Sequence, residues 1–141
     1  MCIKWATDYF MAAHKGDCEL VGQVGDGNKD HAWWGRPEEM TMSRPSWSIT
    51  CNSPGSDLAG ETAAALASSA IFFTRRGDTA YADQLLTHAR SLFQFADQSR
   101  GVYTDAIPNA AGFYQSWSGY EDELMWAAAW MAKATGVTTH I

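Results

Sequence analysis

Residues 56–73 read SDLAGETAAALASSAIFF, and this run decides the fold class. Alanine and leucine have high helix propensity, and no proline interrupts them. Pro54-Gly55-Ser56-Asp57 just ahead supplies a turn and a capping oxygen, so the predicted helix runs from about Asp57 to Phe73. Its many Ala and Ser side chains have little bulk, which lets neighbouring helices approach closely. Asp57 and Glu61, four apart, share one face near the positive end of the helix dipole. Two carboxylates are tolerated there without any catalytic duty.

On the C-terminal side, Asp78 opens another helix. Tyr81, Leu85, Leu86, Ala89, Leu92, Phe93 and Ala96 make its apolar stripe, and Gly101 stands as the expected C-cap glycine. His88 on this helix reads as a surface or internally satisfied histidine, because no second ligand lies four residues away. A further helix is predicted over about Ser118 to Thr135, stopping at Gly136, with Ser118 and Glu121 in the S-x-x-E pattern of a capping box. On the N-terminal side, Ile3, Ala6, Tyr9, Phe10 and Ala13 line one face of a helix from about Cys2 to His14. That helix starts without a cap, which points to an internal piece of a longer chain. No strand-like alternation stands out. The expectation is an all-α architecture of about four helices joined by long aromatic-rich loops, with the chemistry carried on the loops.

The longest loop, Lys15 to Ser56, holds Trp33, Trp34 and Trp47, and its aromatic content argues against disorder. Gly22-Gln-Val-Gly-Asp-Gly27 within it is glycine-rich, but no Lys-Ser/Thr follows to complete a phosphate cradle, and no strand–helix frame is expected around it. The chain has seven Trp among 141 residues, and indole serves cores and ligand platforms equally well. A net charge of −6 with scattered cations offers no footprint for a phosphate backbone, so no nucleic-acid partner is expected. No apolar run approaches the roughly 20 residues of a membrane helix, so no membrane partner is expected. The opening MCIKWATDYF lacks the pattern of a secretory signal peptide. Cys2, Cys18 and Cys51 have no metal-ligand spacing, and their odd number fits a reduced protein or one missing a partner thiol.

Four runs, in order, are IKWATDYF, GQVGDGNKDHAWWGRPEEMTMSRP, NSPGSDLAGETAAALA and FYQSWSGYEDELMWAAAWMAKATG. Together they resemble family nine glycoside hydrolases, over Ile3 to Gly136, with Val137 to Ile141 left without a counterpart. The resemblance implies part of an (α/α)6 barrel, a toroid of helix hairpins, with residues 1–141 forming the central part of the catalytic domain. It implies an endo-β-1,4-glucanase acting on cellulose or related glucans, with a β-1,4-glucan or cello-oligosaccharide as partner. His31 is similar to the family's cleft histidine, and Trp34 to a cleft tryptophan able to stack on the C–H face of a glucose ring. Tyr114 and Trp117 resemble residues lining the subsites, with Phe113 assisting. Trp33 and Trp126 read instead as packing residues.

The same resemblance implies a structural calcium site. Ser118, Gly119, Asp122 and Glu123 would donate oxygens, short of the six to eight that calcium takes, and a further Asp is supplied elsewhere in the family. Family members invert the anomeric centre with a base from a D-A-G-D motif and an acid from a Glu nearer their C-terminus, two carboxyl groups roughly 6.5–9.5 Å apart. Neither motif occurs here. No catalytic residue is therefore assigned, and Asp57, Glu61 and Asp105 are excluded from that role. Secretion is expected for the parent protein. The competing reading is a non-catalytic carbohydrate-binding helical module, and a weaker one is a helical interaction protein whose aromatics pack on a partner.

Overall fold

The computed structural model describes residues 2–137. The chain order is α1 (Cys2–Ala13), β1 (His14–Gly16), β2 (Glu19–Val24), α2 (Gly27–Ala32), a 3-10 turn at Pro37–Glu39, then β3 (Ser46–Thr50). There follow α3 (Ser56–Arg75), α4 (Thr79–Gln98), α5 (Tyr103–Ala106), α6 (Pro108–Tyr114) and α7 (Glu121–Thr135). The four long helices are those read from the sequence, and three short ones are set in the loops.

Helices α3 and α4 form the central hairpin, and α7 packs along α3. The reason is the run of small residues: Ala59, Ala63, Ala67 and Ala70 are buried, and a Cβ on Gly60 would come within 3.1 Å of the Glu123 carbonyl oxygen at the start of α7. Around that seam Leu66, Phe73, Leu85, Leu92, Phe95 and Met131 fill the core. Asp78 caps α4 as expected, its carboxylate accepting the Tyr81 N–H at 3.3 Å, and Gly136 ends α7 in the left-handed conformation (φ 74°). Helix α1 is clasped to α4 by the Tyr81 hydroxyl, which lies 2.6 Å from Thr7 Oγ1 and donates to Asp8 at 2.7 Å.

The helical class holds for the scaffold, but the long loop is not free of strands. It contains an antiparallel sheet of order β1-β2-β3, with Leu20 paired to Ile49 and both buried. The register slips between Val21 and Gln23, and this bulge breaks the period-two pattern that would have marked β2 in the sequence. Cys18 and Cys51 form a disulfide across the end of the β2–β3 ladder, leaving Cys2 as an exposed free thiol. Of the two readings that the odd number of cysteines left open, the reduced one does not hold for Cys18 and Cys51. Spacing along the chain says nothing about which thiols an antiparallel ladder will bring together.

Several local expectations also change. Helix α4 ends at Gln98 with Ser99 as its cap, and Gly101 instead exchanges hydrogen bonds with Ser56. Helix α3 has Gly55 at its N-cap, and the Ser56 hydroxyl donates to Ala96 of α4 rather than capping its own helix. Helix α7 begins at Glu121 with Tyr120 as N-cap, so the Ser118–Glu121 capping box does not form. Trp126 is half exposed and meets Trp130 edge-on, which removes it from the core. Trp33 is half-buried and donates its indole N–H to the Arg36 carbonyl, packing within its own turn.

Candidate functional site

The site is built from the far end of the β2–β3 ladder. The last pair is Val24 with Ser46, and the Gly25 N–H donates to the Pro45 carbonyl at 2.7 Å, so residues 25–45 leave the sheet through a closed neck. The glycine-rich run therefore forms a strand leading into a short helix, although without the lysine that a phosphate cradle needs. Asp26 caps α2. The Lys29 N–H, and behind it the Asn109 amide, hold its carboxyl below the usual carboxylate range.

One turn on, His31 places Nδ1 2.7 Å from the Gly27 carbonyl. A carbonyl only accepts, so in the neutral ring Nδ1 carries the proton and Nε2 is the acceptor. The imidazole lies on Phe113 of α6, with centroids 4.7 Å apart and planes 21° apart. The absent side chain at Gly27 makes room for this, since a Cβ there would sit 2.4 Å from the Phe113 ring.

A groove of about 470 Å³ runs between these segments, lined by Gln23, His31, Leu58, Tyr103, Phe113 and Tyr114 among others. Of the sequence-derived candidates, the structure brings His31, Phe113 and Tyr114 together. Trp34 and Trp117 do not belong to the groove lining, but they are 100% and 91% exposed, and Tyr114 is 78% exposed. None of these three rings serves the core.

Tyr103, missed in the sequence, anchors Tyr114: its hydroxyl donates to the Tyr114 carbonyl, and its own N–H donates to Asp57 Oδ1 at 2.9 Å. Burial, followed by the Asp57 charge, pushes the Tyr103 phenol up. Asn109 was missed as well. Its side chain accepts from Gln23 Nε2 at 2.7 Å and donates to Asp26 Oδ2 at 3.2 Å, joining α6 to the base of α2. No local pattern around Pro108-Asn109 marks such a contact, because its partners lie more than eighty residues away.

A second recess of about 300 Å³ shares Tyr103 and Tyr114 and adds Asp57, Glu61 and Glu123. Asp57 Oδ2 and Glu123 Oε2 are buried without a hydrogen-bond partner among the described residues. Burial, then the adjoining Asp122 carboxyl and Asp57, push the Glu123 carboxyl above its usual range. Two adjoining carboxyls with an orphaned buried oxygen are the kind of donor a hard cation takes, whereas Ser118 and Gly119 do not line this recess. In kind, the carboxyl oxygens of Asp122 and Glu123 suit calcium. In number they fall short, and no group of three or more His, Cys, Asp or Glu side chains converges on one point among the described residues.

The helical hairpins thus carry loop segments that bring His31, Phe113 and Tyr114 to one groove. The profile of glycosyl hydrolase family 9 matches residues 2–141, and the chain belongs to that family. The match includes Val137 to Ile141, although 138–141 lie outside the described residues. Endoglucanase A of Bacillus pumilus is 54% identical over 139 residues, covering 99% of this chain and 21% of the relative. The endoglucanase structure of the termite Nasutitermes takasagoensis is 58% identical with a TM-score of 0.93, over 97% of this chain and 31% of that one. The cellulase Cel9M of C. cellulolyticum, solved with and without cellobiose, is 40% identical with a TM-score of 0.88, over 98% of this chain and 31% of that one. The chain thus spans about a fifth to a third of the length of these relatives, and its helices correspond to a segment of the family's (α/α)6 barrel.

Proposed function

We propose that this chain forms the glucan-gripping part of an endo-β-1,4-glucanase that hydrolyses cellulose or related β-1,4-glucans with inversion. The observation that carries the reading is the convergence of His31 from the first loop with Phe113 and Tyr114 from the second on one groove. His31 Nε2 accepts a hydrogen bond from a sugar hydroxyl. Tyr114 offers its flat face to a pyranose ring, and Trp34 and Trp117 act as further platforms. The cellobiose held by a relative of the same fold supports a β-1,4-linked ligand.

Binding alone does not lower the barrier of bond cleavage; that requires groups stronger in the transition state than in the ground state. No residue of this chain is given the acid or base role, Asp57, Glu61 and Asp105 included. Calcium at Ser118, Gly119, Asp122 and Glu123 would neutralise the paired carboxyls and fix the start of α7 beside Tyr114. Action outside the cell is supported by the Cys18–Cys51 bridge, since such bonds persist in oxidising compartments. Among the described residues no helix is long and apolar enough to cross a membrane.

Titration with cellotetraose, followed by tryptophan fluorescence, tests the groove. A saturable change is expected with cellotetraose, none with maltotetraose, and a weaker response in His31→Ala and Tyr114→Ala. Identical curves for the two sugars would sink the reading. Calcium is tested separately: millimolar Ca²⁺ should raise the melting temperature, EGTA should reverse it, and Glu123→Gln should be insensitive. If Glu123→Gln responds like the wild type, the ligand assignment is wrong. Hydrolysis of carboxymethylcellulose by this chain, abolished in Asp57→Ala or Glu61→Ala, would overturn the assignment of no catalytic residue.

A further inference from the structure

The groove depends on His31 presenting the correct ring nitrogen, and nothing within its own helix secures that beyond one backbone carbonyl. Gly27, which supplies the carbonyl, sits at the first turn of a six-residue helix, too short to hold itself in place. The Asp26 cap on the Lys29 N–H holds that turn from its own segment, and a side chain from another element holds it from outside. Asn109 Oδ1 accepts from Gln23 Nε2 at 2.7 Å and from the Gly27 N–H at 3.4 Å, while Nδ2 donates to Asp26 Oδ2 at 3.2 Å. The orientation of the amide is set by these partners: a carboxylate cannot donate and a backbone N–H cannot accept. One side chain of α6 therefore grips both residues flanking the Asp26–Gly27 peptide and ties them to β2.

We propose that Asn109 is a positioning residue that sets the tautomer of His31 through Gly27. With Gly27 pinned, its carbonyl faces His31 Nδ1 at 2.7 Å and keeps the proton there. Nε2, which has no protein partner among the described residues, is left as a lone pair for a ligand hydroxyl. Phe113, one turn along α6 from Asn109, supports the same ring from its face. A single short helix thus sets both the hydrogen-bond polarity and the plane of the histidine. The ligand-facing role rests on the proposed glucan-binding function; the tautomer does not.

The test is a long-range ¹H–¹⁵N correlation spectrum of the ¹⁵N-labelled chain near pH 8, with His31 identified by the signal lost in His31→Gln. The wild type is expected to show the Nδ1–H form alone at His31. Asn109→Leu, which matches the shape but removes the donors and acceptors, should give exchange-averaged nitrogen shifts. It should also weaken cellotetraose binding at least fivefold while the His14 and His88 signals stay in place. Asp26→Asn keeps the helix cap but weakens the grip on Nδ2, and should move the His31 shifts part of the way. An unchanged Nδ1–H pattern in Asn109→Leu overturns the proposal. If that variant does not fold, an unchanged pattern in Asp26→Asn overturns it. A tautomer shift without any cellotetraose binding in the wild type would keep the positioning role and refute the glucan reading instead.

Discussion

His14 and His88 meet at 2.9 Å between their Nδ1 atoms, joining the first strand to the outer helix of the central hairpin. The contact needs one ring to donate and the other to accept, so it cannot survive protonation of both. Ser91 and Asp17 complete the surroundings, the serine hydroxyl lying 3.3 Å from His14 Nε2 and donating to Asp17 at 2.8 Å. Burial, then the neighbouring His88, lower the His14 pKa, with the Gly16 backbone and then Asp17 opposing. The folded value lies below the unfolded one near 6.5, so this contribution to stability is complete above about pH 6.5 and is lost as pH falls through the folded value. Melting temperature should decline from pH 7 to pH 5. His14→Gln should flatten the decline attributable to this site, and His88→Gln should reduce it only in part because burial remains. An identical slope in His14→Gln would refute the assignment.

The Cys18–Cys51 bridge closes a segment whose ends are 33 residues apart in sequence. Loop-closure entropy for a segment of that length is worth about 3–4 kcal/mol. Cys18→Ser with Cys51→Ser should lower the unfolding free energy by about that amount in urea titrations. The loss should fall on the sheet and the 25–45 loop first, which hydrogen exchange would resolve. Uniform exchange across α3 and α4 instead would contradict this.

Leu66 is fully buried in the centre of α3, whereas Trp126 is half exposed on α7. Leu66→Ala should cost about 2–5 kcal/mol through lost burial and a residual cavity. Trp126→Ala should cost clearly less despite the larger side chain. Denaturation midpoints compare the two directly, and the reverse order would show the packing of α7 to be wrong.

Tyr114 and Trp117 are exposed and carry little of the fold. Replacing either with Ala should leave the melting temperature nearly unchanged while lowering cellotetraose affinity by about 0.5–1.5 kcal/mol, roughly two- to twelvefold. Calorimetric titration measures this. An affinity within error of the wild type in both variants would remove these rings from the binding surface.

Gly27→Ala should disturb the groove more than the fold. The added methyl would lie 2.4 Å from the Phe113 ring, so the ring must move away from His31. Loss of the ring-current shift on the His31 protons is the expected signature, with a stability cost of about 1–3 kcal/mol. A retained shift would show that the stack does not depend on the missing side chain.

The sequence by itself determined the helical scaffold, because helix signals are local. The Ala-rich run of α3, the apolar stripe of α4, the Asp78 cap and the Gly136 stop all act within a few residues of one another. It also pointed to His31, Phe113 and Tyr114, through runs whose residue order resembles a known family. The tertiary structure alone decided the sheet, the Cys18–Cys51 bridge, the exposure of Trp126 and the place of Asn109 beneath His31. The sheet, the bridge and the contacts of Asn109 depend on residues far apart in the chain meeting at hydrogen-bond or covalent distance, and the exposure of Trp126 on which face of α7 meets its neighbours. Such meetings are set by how the helices pack, and no period along the sequence records them.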